Sequence, residues 1–367
     1  MIPRHLDLTE QQRGVLDDLK FDRNHLVTGP PGCGKSTLAL HWTLMVAMTG
    51  ADVLLLTRSR PLARYLEIRL RRLSDRSGVR AATAHEWLKK QFDFAYTESE
   101  DGWPDWDELS EKAERRAARS RPAMVIDEGQ DLPPEFYRLA RSRSSTITVF
   151  ADECQPLGAR QSTLGEITER IDADEPIVLG GGERVPIASA ELLAWLGMVE
   201  LPDSAPAVGV RPRIHAVGDA GGLADLIVDL HRHRRSKRLG IVFATAAGQE
   251  QMEAELRRRG RHLNPQSYRS QPGRPCGIDT ARPGLFLFNR RSVKGLEFDA
   301  VVIADTHLDS AKDPTDAGLR LTYSMLAART LGELHLCYQG NREPPLLARM
   351  PESVAERRTS AANRALA

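Results

Sequence analysis

Residues 29–36 read Gly-Pro-Pro-Gly-Cys-Gly-Lys-Ser, a complete G-x-x-x-x-G-K-[ST] phosphate-binding loop. Gly29, Gly32 and Gly34 let the backbone turn its N–H groups inward around phosphate oxygens. Lys35 supplies a positive charge for the outer phosphates, and Ser36 a hydroxyl for Mg²⁺. Pro30, Cys33 and Thr37 complete the stretch expected to touch a nucleotide. A second constellation follows downstream. Met124 to Asp131 is an apolar run ending in acids, Met-Val-Ile-Asp-Glu-Gly-Gln-Asp. Asp127 at the strand's end is placed to hold Mg²⁺, directly or through water, and Glu128 to orient or deprotonate an attacking water. Taken alone, the first motif also reads as an unrelated glycine-rich turn and the second as a strand with an acidic turn. Their co-occurrence favours phosphate chemistry.

Positioning these groups takes a strand before the loop and a helix after it. Residues 25–28 form a short apolar run, and 37–46 are apolar and helix-compatible, so the helix N-terminus faces the phosphates. Similar apolar runs recur at 53–57, 124–126, 147–150, 240–243, 285–288 and 300–304. Short, continuously apolar strands alternating with helices indicate an α/β fold with a parallel sheet covered on both faces. A length of 367 residues suits two domains or one large one. The Pro/Gly-rich stretch 201–212 reads as a linker. The expected layout is a first domain over 1–200 with a short insertion at 88–123, a second over 213–340, and a tail at 341–367. Residues 264–283 read as a long loop, and the tail as a loosely attached helix or a disordered segment.

Composition narrows the classes. No apolar run approaches the length of a membrane span, and the first residues lack an apolar signal core, so no membrane partner is expected. Cys33, Cys154, Cys276 and Cys337 lie far apart without C-x-x-C spacing. That argues against a zinc site or a disulfide framework and fits a reducing cytoplasm. Lys and Arg total 51 against 50 Asp and Glu, and most of the bases are arginine. Arginine suits phosphate contacts, but a biased genome composition produces the same excess. The clusters at 69–72, 232–238, 257–261 and 290–291 each read first as a solvated face.

Asp-Glu-x-Gln-Asp after an apolar strand resembles motif II of superfamily 1 helicases of the UvrD/Rep kind. Other segments fall in that family's order. Leu8 to Arg13 looks like the Q motif, with Gln12 where the adenine edge is read. Val53 to Ala63 looks like motif Ia, and Thr83-Ala-His-Glu-Trp87 like the T-x-H segment after it. Ala151-Asp-Glu-Cys-Gln155 resembles motif III, making Gln155 a γ-phosphate sensor. Arg184 looks like the motif IV arginine. Ser292 to Asp299 closely matches motif V, with Glu297 at the ribose. Tyr323 to Leu334 resembles motif VI, with Arg329 reaching the γ-phosphate. The resemblance implies two tandem RecA-like P-loop domains with mainly parallel sheets and an inter-domain nucleotide cleft. It also implies ATP and Mg²⁺ as cofactors and a nucleic-acid partner, single-stranded DNA first. Arg58, Arg60, His85, Trp87, Arg290, Arg291 and Lys294 are the side chains it offers to the strand.

The departures matter. Both large accessory insertions of processive relatives are absent or vestigial. Glu183 stands where a Tyr usually stacks on adenine, and Gln155 runs into Pro-Leu-Gly where an aromatic usually stacks on a base. Each lost stack removes about 1–3 kcal/mol of grip per base. Trp87 has a competing reading as a core residue. The chain therefore reads as a minimal nucleic-acid-dependent ATP hydrolase or, alternatively, as a nucleotide-gated switch acting on a protein partner such as a nuclease. A small-molecule kinase is a weaker third reading.

Overall fold

A computed structural model of the chain describes residues 8–30, 32–73, 79–92, 103–115, 120–152, 161–180, 187–197, 210–233, 237–271 and 276–358, with the backbone alone at 187–189. The chain divides into two compact units, Met1–Gly182 and Glu183–Ala367.

The first unit runs α1 (Glu10–Asp18), β1 (His25–Thr28), α2 (Lys35–Met48), β2 (Val53–Thr57), α3 (Arg60–Leu73), β3 (Val79–Thr83), α4 (Ala84–Phe92), α5 (Trp106–Arg115), β4 (Ala123–Asp127), α6 (Pro134–Arg143), β5 (Ile147–Ala151), α7 (Leu164–Ile171) and β6 (Ile177–Val178). Capping boxes start α1 (Thr9 with Gln12) and α7 (Thr163 with Glu166), each satisfying two otherwise orphaned N–H groups. The sheet order is β3-β2-β4-β5-β1-β6 and every pairing is parallel. β4 and β5 are buried along their whole length, as central strands with helices on both faces must be. The register sets Thr28 of β1 beside Ala151 of β5, and Phe150 beside Asp127 of β4. The carboxyl ends of these three strands thus share one edge, where α/β sheets bind ligands.

The second unit runs α8 (Ile187–Trp195), β7 (Arg213–Gly218), α9 (Ala220–Arg232), β8 (Arg238–Phe243), α10 (Ala246–Arg259), β9 (Gln266–Ser267), β10 (Gly284–Asn289), β11 (Phe298–Ile303), α11 (Ala317–Ala327), β12 (Thr330–Gln339), α12 (Pro345–Ala348) and β13 (Glu356–Arg358). Its parallel sheet has the order β13-β7-β12-β11-β8-β10-β9 around its own apolar core. α8, placed by the sequence in the first domain, packs on α11 of the second unit. There Arg320 donates to the Trp195 carbonyl and lies over its ring.

All seven apolar runs are strands. β3, β6, β7, β9, β12 and β13 join them from more polar sequence. The tail from 341 is folded as far as Arg358. β13 pairs with β7, and Arg357 bonds Glu343, Leu347 and Met350. Residues 359–367 and the linker positions 201–209 lie outside the described residues. Among the described residues, no helix is long and apolar enough to cross a membrane.

Candidate nucleotide site

The chain leaves β1 at Thr28 and turns through the glycine-rich loop into α2. Gly32 (φ 79°) and Gly34 (φ 97°) hold left-handed backbone that a side chain resists. Gly34 is the N-cap of α2 and caps its first turn with no side chain, so the N-terminus of the helix follows directly on the loop, the arrangement that binds phosphate. Lys35 Nζ donates to the carbonyls of Gly29 at 2.5 Å and Pro30 at 2.9 Å. It also pairs with Asp152 at 3.5 Å. The Cys33 thiol lies 3.8 Å from that ammonium, and burial pushes its pKa up.

Gln12 is 2% exposed and engaged at both ends of its amide. Its Oε1 accepts from Thr9 N at 3.2 Å and its Nε2 donates to the Cys33 carbonyl at 3.0 Å. The residue expected at the adenine edge therefore braces the phosphate loop against α1. An adenine edge would have to displace one of those bonds.

Asp127 ends β4 and is 1% exposed. The Ser36 hydroxyl donates to its carboxylate, and Glu128 N donates to Oδ1 at 3.1 Å. Burial, with the neighbouring Glu128 charge, raises its pKa to about 7; Ser36 and Lys35 oppose the shift. Its Oδ2 is buried without a hydrogen-bond partner. A hard, desolvated oxygen with nothing to accept from suits a divalent cation. No group of three or more His, Cys, Asp or Glu suited to a metal occurs among the described residues. One carboxylate and one hydroxyl nonetheless fit Mg²⁺, whose remaining positions are commonly water and substrate phosphate.

Glu128 takes left-handed backbone (φ 57°, ψ 46°), a strained conformation for a residue of its type, costing about 1–3 kcal/mol. The twist turns its side chain out of the strand's alternation. Gln130 Nε2 then holds Glu128 Oε2 at 2.6 Å, and Gln130 Oε1 accepts from Asp152 N at 3.0 Å. Gly129 makes room for this turn. A Cβ there would sit 2.3 Å from Val149 Cγ1 and 2.8 Å from the Tyr137 hydroxyl, which itself donates to the Gly129 carbonyl at 2.6 Å. Gly129→Ala is expected to destabilise the first unit by about 1–3 kcal/mol. That is about 2–4 °C of Tm per kcal/mol. An unchanged melting curve would refute the steric account.

The residues expected at the nucleic acid scatter. Trp87 is core, 4% exposed and edge-on to Phe92 and Phe136. Losing a buried Trp costs about 3–5 kcal/mol, against about 1–3 from stacking on one base, so the core placement wins. Arg58 and His85 do meet, on a side chain the sequence did not single out. Arg58 lies 5.3 Å over the Trp103 ring and His85 stacks on it at 4.1 Å. Arg58 also donates to the Asp131 carbonyl. Arg60 opens α3, half-buried.

In the second unit the turn between β10 and β11 exposes Arg291 and Glu297 but buries Lys294 to 1%. Arg290 is drawn inward, paired with Asp309 at 2.8 Å and Asp305 at 3.6 Å beside Tyr323. Those carboxylates hold its pKa up against burial. Lys294 is thus buried, and Arg290 is half-buried and turned toward its two carboxylates. Arg329 is buried as well, its Nε donating to the Met325 carbonyl at 3.0 Å. That is the work of a cation at a helix C-terminus and by itself supports no phosphate contact. Gln155 and Arg184 lie outside the described residues.

Residues 11–158 match the AAA_19 family, described as an AAA domain, over less than half of the chain. No curated protein matches the sequence. Among solved structures the chain is similar to Saccharomyces cerevisiae Dbp5 bound to RNA and ADP-BeF3, at 12% identity and a TM-score of 0.57, covering 99% of this chain and 93% of that one. Candida albicans Pif1 helicase is similar at 12% identity and a TM-score of 0.47, over 95% and 98% of the two chains. The C-terminal domain of a possible DNA helicase from Lactobacillus plantarum is similar at 20% identity and a TM-score of 0.36, over 48% of this chain and 99% of that one. The chain has two tandem RecA-like domains built on mainly parallel sheets, the fold of helicase-like P-loop ATPases.

Proposed function

We propose that this chain hydrolyses ATP with Mg²⁺ as a minimal superfamily 1 enzyme of the UvrD/Rep kind, and that nucleic acid, single-stranded DNA first, stimulates the reaction. The observation that carries the reading is the convergence of Lys35, Ser36, Asp127 and Glu128 on one carboxyl edge of the first sheet. Lys35 and the first turn of α2 bind and orient the phosphates. Ser36 and Asp127 hold the metal, which when bound neutralises charge on the phosphate oxygens. Glu128 positions a water and accepts its proton. The spacing of the cysteines favours a cytoplasmic setting.

A specific observation favours a second reading. Trp87, Arg290 and Lys294 point inward, which leaves fewer side chains to grip a strand. A nucleotide-gated switch acting on a protein partner, such as a nuclease, needs no such grip. ATP turnover measured alone and with single-stranded DNA, duplex DNA and RNA separates the two. Stimulation of severalfold by single-stranded DNA supports the first reading. Slow turnover indifferent to every nucleic acid supports the second. No turnover under any condition overturns both.

A further inference from the structure

Lys35 and Glu128 sit on different elements, yet one continuous line of contacts joins them. β5 lies between β1 and β4, so its carboxyl end emerges between the phosphate loop and the acids. Asp152 is the residue that emerges there, 4% exposed. Its Oδ2 meets Lys35 Nζ at 3.5 Å. Its N–H donates to Gln130 Oε1 at 3.0 Å, and Gln130 Nε2 donates to Glu128 Oε2 at 2.6 Å. Gln130 is 3% exposed, and Ser162 N donates to its backbone carbonyl. Neither Asp152 nor Gln130 is among the residues assigned above to the phosphates or the metal.

We propose that Asp152 and Gln130 are positioning residues that form a phosphate-sensing relay, in which Asp152 competes with the nucleotide for Lys35 and Gln130 passes the outcome to Glu128. The proposal rests on the ATP-hydrolase reading of the site. An ammonium has three N–H donors, and the Gly29 and Pro30 carbonyls, the Asp152 carboxylate and the Cys33 thiol already surround it. A phosphate oxygen must take one of them over. The Asp152 contact is the longest of the three oxygen contacts, and its partner is the one that carries a negative charge. The carboxylate it releases is buried and has the same sign as the phosphate. It relieves the repulsion by shifting away, and its own N–H is tied to the Gln130 amide. The amide in turn holds the carboxylate of Glu128, so displacement at the loop is felt where the water is activated.

A purely structural ion pair predicts the opposite sign. If Lys35–Asp152 only held the loop in shape, neutralising Asp152 would weaken nucleotide binding. As a competitor, Asp152→Asn is expected to tighten Mg²⁺-ADP binding by about three- to tenfold. The full-length chain titrated calorimetrically with ADP and Mg²⁺ reads this directly. Asp152→Ala removes the same charge and is expected to tighten binding likewise, so one folded variant suffices. Gln130→Ala is expected to leave that dissociation constant within about twofold while lowering kcat about tenfold or more. Combining the two substitutions is expected to lower kcat no further than the worse single one, because relay members act as a unit. Unchanged or weaker binding in the Asp152 variants overturns the proposal, as does strict additivity in kcat. A wild-type chain that binds ADP but hydrolyses no ATP sinks the enzyme reading, while the sign at Asp152 still decides the competition for Lys35.

Discussion

Glu128→Gln is expected to cut ATP turnover by about 10²–10⁴ while leaving Mg²⁺-ADP affinity within about threefold, the range lost when a positioned general base is removed. Among the described residues, the carboxylate is the one acid at the sheet edge placed by strained backbone rather than by strand alternation. Gln130 holds it by a single oxygen, Oε2, so the amide of a glutamine accepts the same bond and the geometry survives. What disappears is the ability to take a proton. Lys35→Ala behaves differently, because Lys35 is the charge that meets the phosphates. Affinity and turnover are expected to fall together there. Measuring kcat and the ADP dissociation constant on one preparation separates the two patterns. A Glu128→Gln enzyme with more than about a tenth of wild-type turnover would remove Glu128 from the role of base.

The parts of this site that sequence makes legible are those whose chemistry is compressed into consecutive residues. The phosphate loop carries its glycines, lysine and serine in one run, and Asp127 and Glu128 adjoin each other. Both motifs lie where a strand ends, and continuous apolar runs betray such strands. What sequence leaves dark depends on register and on space. Asp152 stands within the motif III segment, yet only the position of β5 between β1 and β4 brings it to Lys35. The glycine at 129 looks arbitrary until Tyr137 and Val149 are seen to fill the volume of its missing Cβ. β12 and β13 carry charge and alternate poorly, so their strand character comes from pairing with neighbours rather than from their own pattern. Trp87, Lys294 and Arg290 are offered to a strand by the motif segments they stand in, but a segment's place does not say which way a side chain points. A tryptophan finds a core, and an arginine beside two carboxylates finds an ion pair.

In buffer with EDTA, raising the pH from 5 to 8 is expected to lower the wild-type melting temperature relative to Asp127→Asn. Burial and Glu128 lift the Asp127 pKa from 3.8 to about 7 in the folded chain. The folded state therefore holds its proton more tightly than the unfolded one. The stability this contributes is fully present below about pH 4, shrinks as the unfolded chain ionises, and is lost once the pH has passed about 7. At about 1.4 kcal/mol per pKa unit the effect is bounded on the order of 4 kcal/mol. Asp127→Asn has the same shape and no proton to lose, so it removes this contribution together with its coupling to Glu128. Mg²⁺ reverses the sign of the problem. The ion needs the ionised carboxylate, and Oδ2 is buried with no other partner. Its strengthening of ADP binding is thus expected to grow with pH up to about 7 and then level off, whereas in Asp127→Asn it stays small throughout. A magnesium effect that is flat from pH 5 to 8, or equal in the two proteins, would place the metal somewhere other than Asp127.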